Sequence, residues 1–148
     1  MGSLSGNLYA WIRPTRFDLN NGEFVKLGKL MGVGRYKDVY RIRGRKRVIK
    51  IMRGDILDTK GRNVILREVQ GVKTLQDVGI PCPRSFLHDA RGRWIITEYV
   101  REPTLHDLIG SRSRDLFTEA LARTAFHVVD ALRQRGLMMD MGIGNWAY

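Results

Sequence analysis

The feature that most constrains this chain is a set of glycine breaks between short runs of alternating residues. Residues 24–29 alternate apolar and polar side chains, as a half-buried strand does. Gly32 and Gly34 interrupt that pattern, and Val39-Tyr40-Arg41-Ile42 resumes it. Gly44 marks a second turn, and Val48-Ile49-Lys50-Ile51 follows as a third strand. Asn20-Asn21-Gly22 reads as a turn ahead of the first strand. Residues 1–22 read as an extension, with a loose Gly/Ser start and an apolar Tyr9-Ala10-Trp11-Ile12 able to dock elsewhere.

The period then changes. Across residues 62–76, Val64, Ile65, Val69, Val72 and Leu75 share one helical face. Gly79 and Pro81 end that helix. Phe86-Leu87-His88, the turn Asp89-Ala90-Arg91-Gly92 and residues 94–100 form a hairpin. Thr104 suits an N-cap, with Asp107 in the first turn after it. A last helix spans residues 115–135 with a broad apolar stripe from Leu116 to Leu132, and Gly136 stops it. The order is three strands, a helix, two strands, then helices. The predicted fold class is α+β: a five-stranded antiparallel sheet with one packed helix, then part of a helical lobe. Three segments are predicted: 1–22 as extension, 23–100 as the sheet unit, 101–148 as helical.

Size and charge narrow the function. A chain of 148 residues is about one domain. No apolar run approaches the roughly 18 residues a membrane-spanning helix needs. Cys82 is the only cysteine, so no intrachain disulfide forms, which suits a reducing compartment. The expected location is the cytoplasm, or the outside of the cell as a secreted effector. Twenty-six basic and fifteen acidic residues leave a net charge of +11, which suits anionic partners. Arg41, Arg43, Arg45, Lys46, Arg47, Lys50 and Arg53 crowd residues 41–53. That run is either a solvated hairpin or an anion-binding surface. No aromatic residue interleaves with it as on a base-stacking platform, so nucleic acid is not the expected partner.

Four features lie in an order that phosphoryl transfer requires. The first is Gly32-Val33-Gly34, followed by Val39-Tyr40. Glycines between strands let backbone N–H groups approach phosphates, although a plain hairpin turn uses the same residues. The second is Lys50, which either faces solvent or reaches the phosphates of ATP. The third is Glu68, three residues after Ile65 and four before Val72, at the edge of the apolar helical face. A carboxylate there needs a cation or water. Lys50 is one partner, and Arg67 or Lys73 are local ones. The fourth is Asp140-Met141-Gly142-Ile143-Gly144-Asn145, directly after the last helix. Asp140 can accept or orient an attacking hydroxyl, and Asn145 can turn back to hold magnesium. An Asx-rich turn is the alternative for this segment.

Together these residues resemble the protein-kinase-like superfamily over residues 26–145. In that likeness Gly32-Val33-Gly34-Arg35-Tyr36-Lys37-Asp38-Val39-Tyr40 is the glycine-rich loop, Lys50 the strand lysine and Glu68 the helix glutamate. Ile96-Thr97-Glu98-Tyr99-Val100 is similar to the last strand and hinge, with Thr97 as gatekeeper and the backbone of Glu98 and Val100 toward adenine. Asp140 and Asn145 match the catalytic-loop pair. The run from Arg67 to Leu75, then Gly79-Ile80-Pro81, is similar to the atypical bacterial branch of aminoglycoside phosphotransferases, lipopolysaccharide kinases and small effector kinases.

The resemblance implies ATP and Mg²⁺ as cofactors and transfer of the γ-phosphate to a hydroxyl acceptor on a protein or saccharide. There are departures. Met138 stands where the family places a histidine, and Lys37 replaces the third glycine of the loop. No Asp-Phe-Gly metal segment follows Asn145. Asp140-Met141-Gly142 does not serve as that segment, because Asp130 is followed five residues later by Arg135, not asparagine. Little transfer is therefore expected of these 148 residues alone. The alternative is a truncated or degenerate kinase fold that binds nucleotide or a partner and regulates it.

Overall fold

The computed structural model describes residues 15–101 and 119–137. The chain divides into two compact units, Met1–Tyr99 and Val100–Tyr148. In the first unit β1 (Arg16–Asp18), β2 (Phe24–Val33), β3 (Lys37–Ile42), β4 (Arg47–Met52), α1 (Val64–Asp77), β5 (Ser85–His88) and β6 (Trp94–Glu98) follow in order. The strands form one antiparallel sheet in the order β1-β2-β3-β4-β6-β5. The class is α+β, as predicted. The sheet has six strands, not five, because Arg16–Asp18 from the predicted extension pairs with β2. Three residues are too short a run to show an alternation in sequence.

Alternation along the strands gives the sheet two faces. Leu27, Ile42, Ile49, Trp94 and Ile96 are buried on one, with Leu19 and Val25, and Phe17, Tyr40 and Ile51 pack against them. On the other, Met52 and Ile95 meet Ile65 of α1, with Tyr36, Ile56, Val64 and Val69 around them. Ile49, Ile65 and Ile95 are fully enclosed. The register places Val39 opposite Lys50 and Lys50 opposite Ile95, so the lysine stands on the helix-bearing face.

Residues around α1 explain why it starts and stops where it does. The Asn63 side chain accepts from the Leu66 N–H at 2.9 Å, an N-cap that satisfies one free donor of the first turn. At the other end Gly79 takes φ +75°, its N–H donates to Gln76 O at 3.0 Å, and Ile80 N–H donates to Leu75 O at 2.9 Å. This paired closure needs a left-handed residue, which glycine adopts without penalty. Asn63 also donates from Nδ2 to Arg91 O at 3.2 Å, which ties the start of α1 to the β5–β6 turn. Asn63→Ala is expected to lower stability by about 2 kcal/mol, about 1 for the lost cap and about 1 for the lost bond to Arg91 O. Urea unfolding checks this, and an unchanged midpoint would show that the cap contributes nothing.

In the second unit the described helix is α2 (Glu119–Arg133). Arg123 pairs with Glu119 one turn earlier at 2.5 Å, and Leu132 is buried. Gly136, at φ +67°, closes the helix: its N–H donates to Arg133 O at 2.9 Å and Leu137 N–H donates to Leu132 O at 2.9 Å. No helix among the described residues is long and apolar enough to cross a membrane.

Candidate functional site

Glu68 follows Ile65 by three residues and precedes Val69, so it borders the face of α1 that is pressed on the sheet. From there its carboxylate meets two lysines. Lys50 Nζ donates to Oε1 and Lys37 Nζ donates to Oε2. The pair expected from the sequence, Lys50 with Glu68, is present. Lys37 is an addition that the sequence reading treated only as a missing glycine. The local partners considered for Glu68 are not used, because Arg67 pairs with Asp58 at 3.0 Å. The three side chains keep only 18–26% of their surface exposed, so these pairs are less screened than ordinary surface salt bridges. Burial alone would raise the Glu68 carboxyl, but the charges of Lys50 and Lys37 and their hydrogen bonds outweigh it and hold the group below its ordinary value.

The glycine segment takes a shape the sequence did not foretell. Gly32 does not break β2. It pairs with Val39, and Val33 pairs with Asp38, after register shifts between Leu27 and Gly32. A glycine inside a strand beside such an irregularity is a common accommodation. The Gly34 N–H is spent inside the turn, donating to Lys37 O at 2.7 Å. Arg53 then ties the turn down. Its guanidinium donates to Gly34 O, and to Arg35 O at 3.1 Å; Nε lies 3.1 Å from Asp38 Oδ1; and its N–H donates to Tyr36 O at 2.9 Å. The turn is thus a closed hairpin in which the Gly34 N–H and the carbonyls of Gly34, Arg35 and Tyr36 are already engaged. Open space remains beside Gly32, where an added Cβ would meet nothing within 4 Å.

Thr97 is buried and pairs with Val48, two residues along from the Ile95–Lys50 pair, so it shares a face with Lys50 and Val39. The Glu98 side chain points the other way. Its carboxylate accepts from Arg84 N–H at 3.2 Å and lies 3.4 Å from Arg84 Nε, and these contacts hold it below its ordinary value. Val100 is exposed, at the start of the second unit. The structure therefore brings Val39, Lys50, Glu68 and Thr97 onto one side of the sheet, with Gly32 and Lys37 at the same hairpin. Asp140 and Asn145 lie outside the described residues. So do Met138, Gly142, Gly144 and Thr104. Among the described residues no cluster of three or more His, Cys, Asp or Glu could hold a metal ion.

The basic stretch also gains partners the linear sequence hides. Arg41 lies over the Tyr99 ring at 3.9 Å, and Arg47 and Arg84 flank the Phe86 ring at 3.9 and 5.4 Å. Aromatic residues are therefore present beside the cluster, supplied from β5 and the end of β6. Their faces already carry guanidinium groups, which leaves less ring surface for stacked bases. Arg45, Lys46, Arg47, Arg84, Phe86 and Glu98 line a hollow of about 600 Å³.

No family profile matches the chain, and no curated protein matches it. Among solved structures the chain is similar to PpkA-294 in its apo form, a bacterial Ser/Thr kinase. The two share 16% sequence identity with a TM-score of 0.55, over 86% of this chain and 53% of the other. The chain thus spans about half the length of the structure it matches. At that identity the likeness concerns the fold alone, and the six-stranded sheet with its packed helix is compatible with a kinase N-lobe-like fold.

Proposed function

We propose that the helix-bearing face of the sheet binds ATP and that the chain is the nucleotide-binding part of a phosphotransferase. One observation carries this reading: Glu68 of α1 holds Lys50 of β4 beside the open strand at Gly32. A strand lysine fixed by a helix carboxylate is a preset cation for a polyphosphate. Val39 and Thr97 would shape the adenine end, with backbone groups of Glu98 and Val100 toward the base. Asp140 would accept the acceptor's proton, and Asn145 would help hold Mg²⁺. When bound, the metal supplies charge neutralisation between the phosphates. The acceptor is a hydroxyl of a protein or saccharide.

The closed hairpin favours a second reading. With the Gly34 N–H spent and Arg53 latched over the turn, the site would hold nucleotide for regulation without transfer. Titration of ATP by calorimetry tests the shared part of both. Lys50→Met is expected to weaken ATP by about tenfold, the scale of one charge-assisted contact. A folded wild type that binds no ATP even at millimolar concentration would sink the nucleotide site. Release of labelled γ-phosphate onto protein or sugar acceptors separates the two readings.

A further inference from the structure

We infer that Lys37 is a second phosphate-binding cation, and that Lys37 and Lys50 on one Glu68 carboxylate form a two-lysine clamp suited to a nucleoside triphosphate. The inference rests on the nucleotide reading above. It adds a residue that takes over the role of the loop's missing glycine.

Charge is the first ground. Two ammonium groups share one carboxylate, one per oxygen, so the cluster retains one uncompensated positive charge. Both stand on the same face, because Lys37 lies two residues before Val39 on β3 and Val39 pairs with Lys50. A partly buried surplus cation is costly unless an anion or water meets it. A triphosphate arriving over Gly32 supplies that anion. Glu68 then keeps one lysine while the other turns to the phosphates, which a four-carbon ammonium stem permits without backbone movement.

The hairpin is the second ground. In an open glycine loop, backbone N–H groups meet the phosphates. Here the Gly34 N–H donates to the backbone oxygen of Lys37 itself. The same residue that removes this donor brings an ammonium to the site. Arg53 keeps it there: it holds the carbonyls of Gly34, Arg35 and Tyr36, while Tyr36 packs beside Met52 and Ile65. Asp38, the nearest carboxylate in sequence, is paired with Arg53 and does not compete for Lys37. Such a preset cation spares the ordering cost that a mobile loop incurs on binding.

The experiment compares adenosine, ADP and ATP by calorimetry on wild type, Lys37→Met, Lys37→Arg and Lys37→Met/Lys50→Met, each checked for cooperative unfolding. Lys37→Met is expected to weaken ATP by about tenfold and adenosine not at all, and Lys37→Arg to recover most of the loss. The double variant is expected to bind ATP no better than adenosine. An equal loss for adenosine and ATP would show that Lys37 only shapes the hairpin, and that result overturns the inference. So does unchanged ATP affinity in Lys37→Met. In both cases normal wild-type ATP binding leaves the nucleotide reading standing, whereas a wild type indifferent to all three ligands takes both down.

Discussion

Gly92→Ala is expected to destabilise the protein by about 3 kcal/mol, with a fall in Tm of about 10 °C. Gly92 ends the β5–β6 turn at φ +72°, where its N–H donates to Asp89 O at 2.8 Å. An L side chain in that left-handed region costs about 1–2 kcal/mol. A Cβ there would also drive into the side-chain amide of Asn63, the N-cap of α1. Displacing Asn63 removes its bond to Leu66 N–H and its bond to Arg91 O, which are worth about 1 kcal/mol each. Two controls separate these parts. Gly92→Asn tolerates the backbone conformation but keeps the collision. Gly92→Ala combined with Asn63→Ala removes the collision, so the two losses should sum to more than the double variant loses. Strict additivity would show that the turn and the cap are independent.

Glu68→Ala is expected to cost about 2 kcal/mol. Removing one partner of a buried pair costs about 3–5 kcal/mol, and Lys37 and Lys50 recover part of that by turning their ammonium groups toward water. Adding Lys37→Met should return some stability, since it deletes one stranded charge. The pH dependence has a definite sign. The folded Glu68 carboxyl lies below its ordinary 4.5, so its contribution is fully present above pH 4.5 and is lost as pH falls through the folded value. Asp58 behaves alike. Hydrogen bonding from the Arg62 N–H leads the causes that lower it to about 2. Denaturant melts between neutral and acid pH check this. The wild type should weaken below pH 4.5, and Glu68→Gln should start weaker at neutral pH and lose less. Equal acid sensitivity in the two proteins would exclude Glu68 as the linked group.

Much of the sheet was legible because glycine punctuates it. Gly22, Gly44 and Gly92 all sit at positive φ in turns, and Gly79 and Gly136 close helices, as the sequence suggested. The helical period of Val64, Ile65 and Val69 located α1 within two residues. What was missed depends on tertiary pairing. β1 is too short to declare itself, and Gly32 was read as a break because its strand partner, Val39, is invisible in a linear pattern. Lys37 was hidden for a related reason, since its carboxylate lies 31 residues away. One signal could have found it: Lys37 and Val39 share strand parity, so any register pairing Val39 with Lys50 puts both lysines on one face. The proposed catalytic roles of Asp140 and Asn145 rest on the resemblance and their spacing alone.

Were α1 to tilt about its tie to the β5–β6 turn at Asn63, it would act as a lever with its fulcrum at one end. Glu68 stands five residues beyond Asn63, about 7.5 Å along the axis at 1.5 Å per residue, whereas Asp77 stands fourteen residues beyond it, about 21 Å away. A swing about the fulcrum therefore moves Asp77 nearly three times as far as Glu68. Whatever pushes on the far end of the helix is geared down before it reaches the lysines. A tilt of about 20° carries Asp77 roughly 7 Å but Glu68 less than about 3 Å, within the reach of a lysine stem. Under such a tilt the far end of the helix would move without parting the carboxylate from both of its cations.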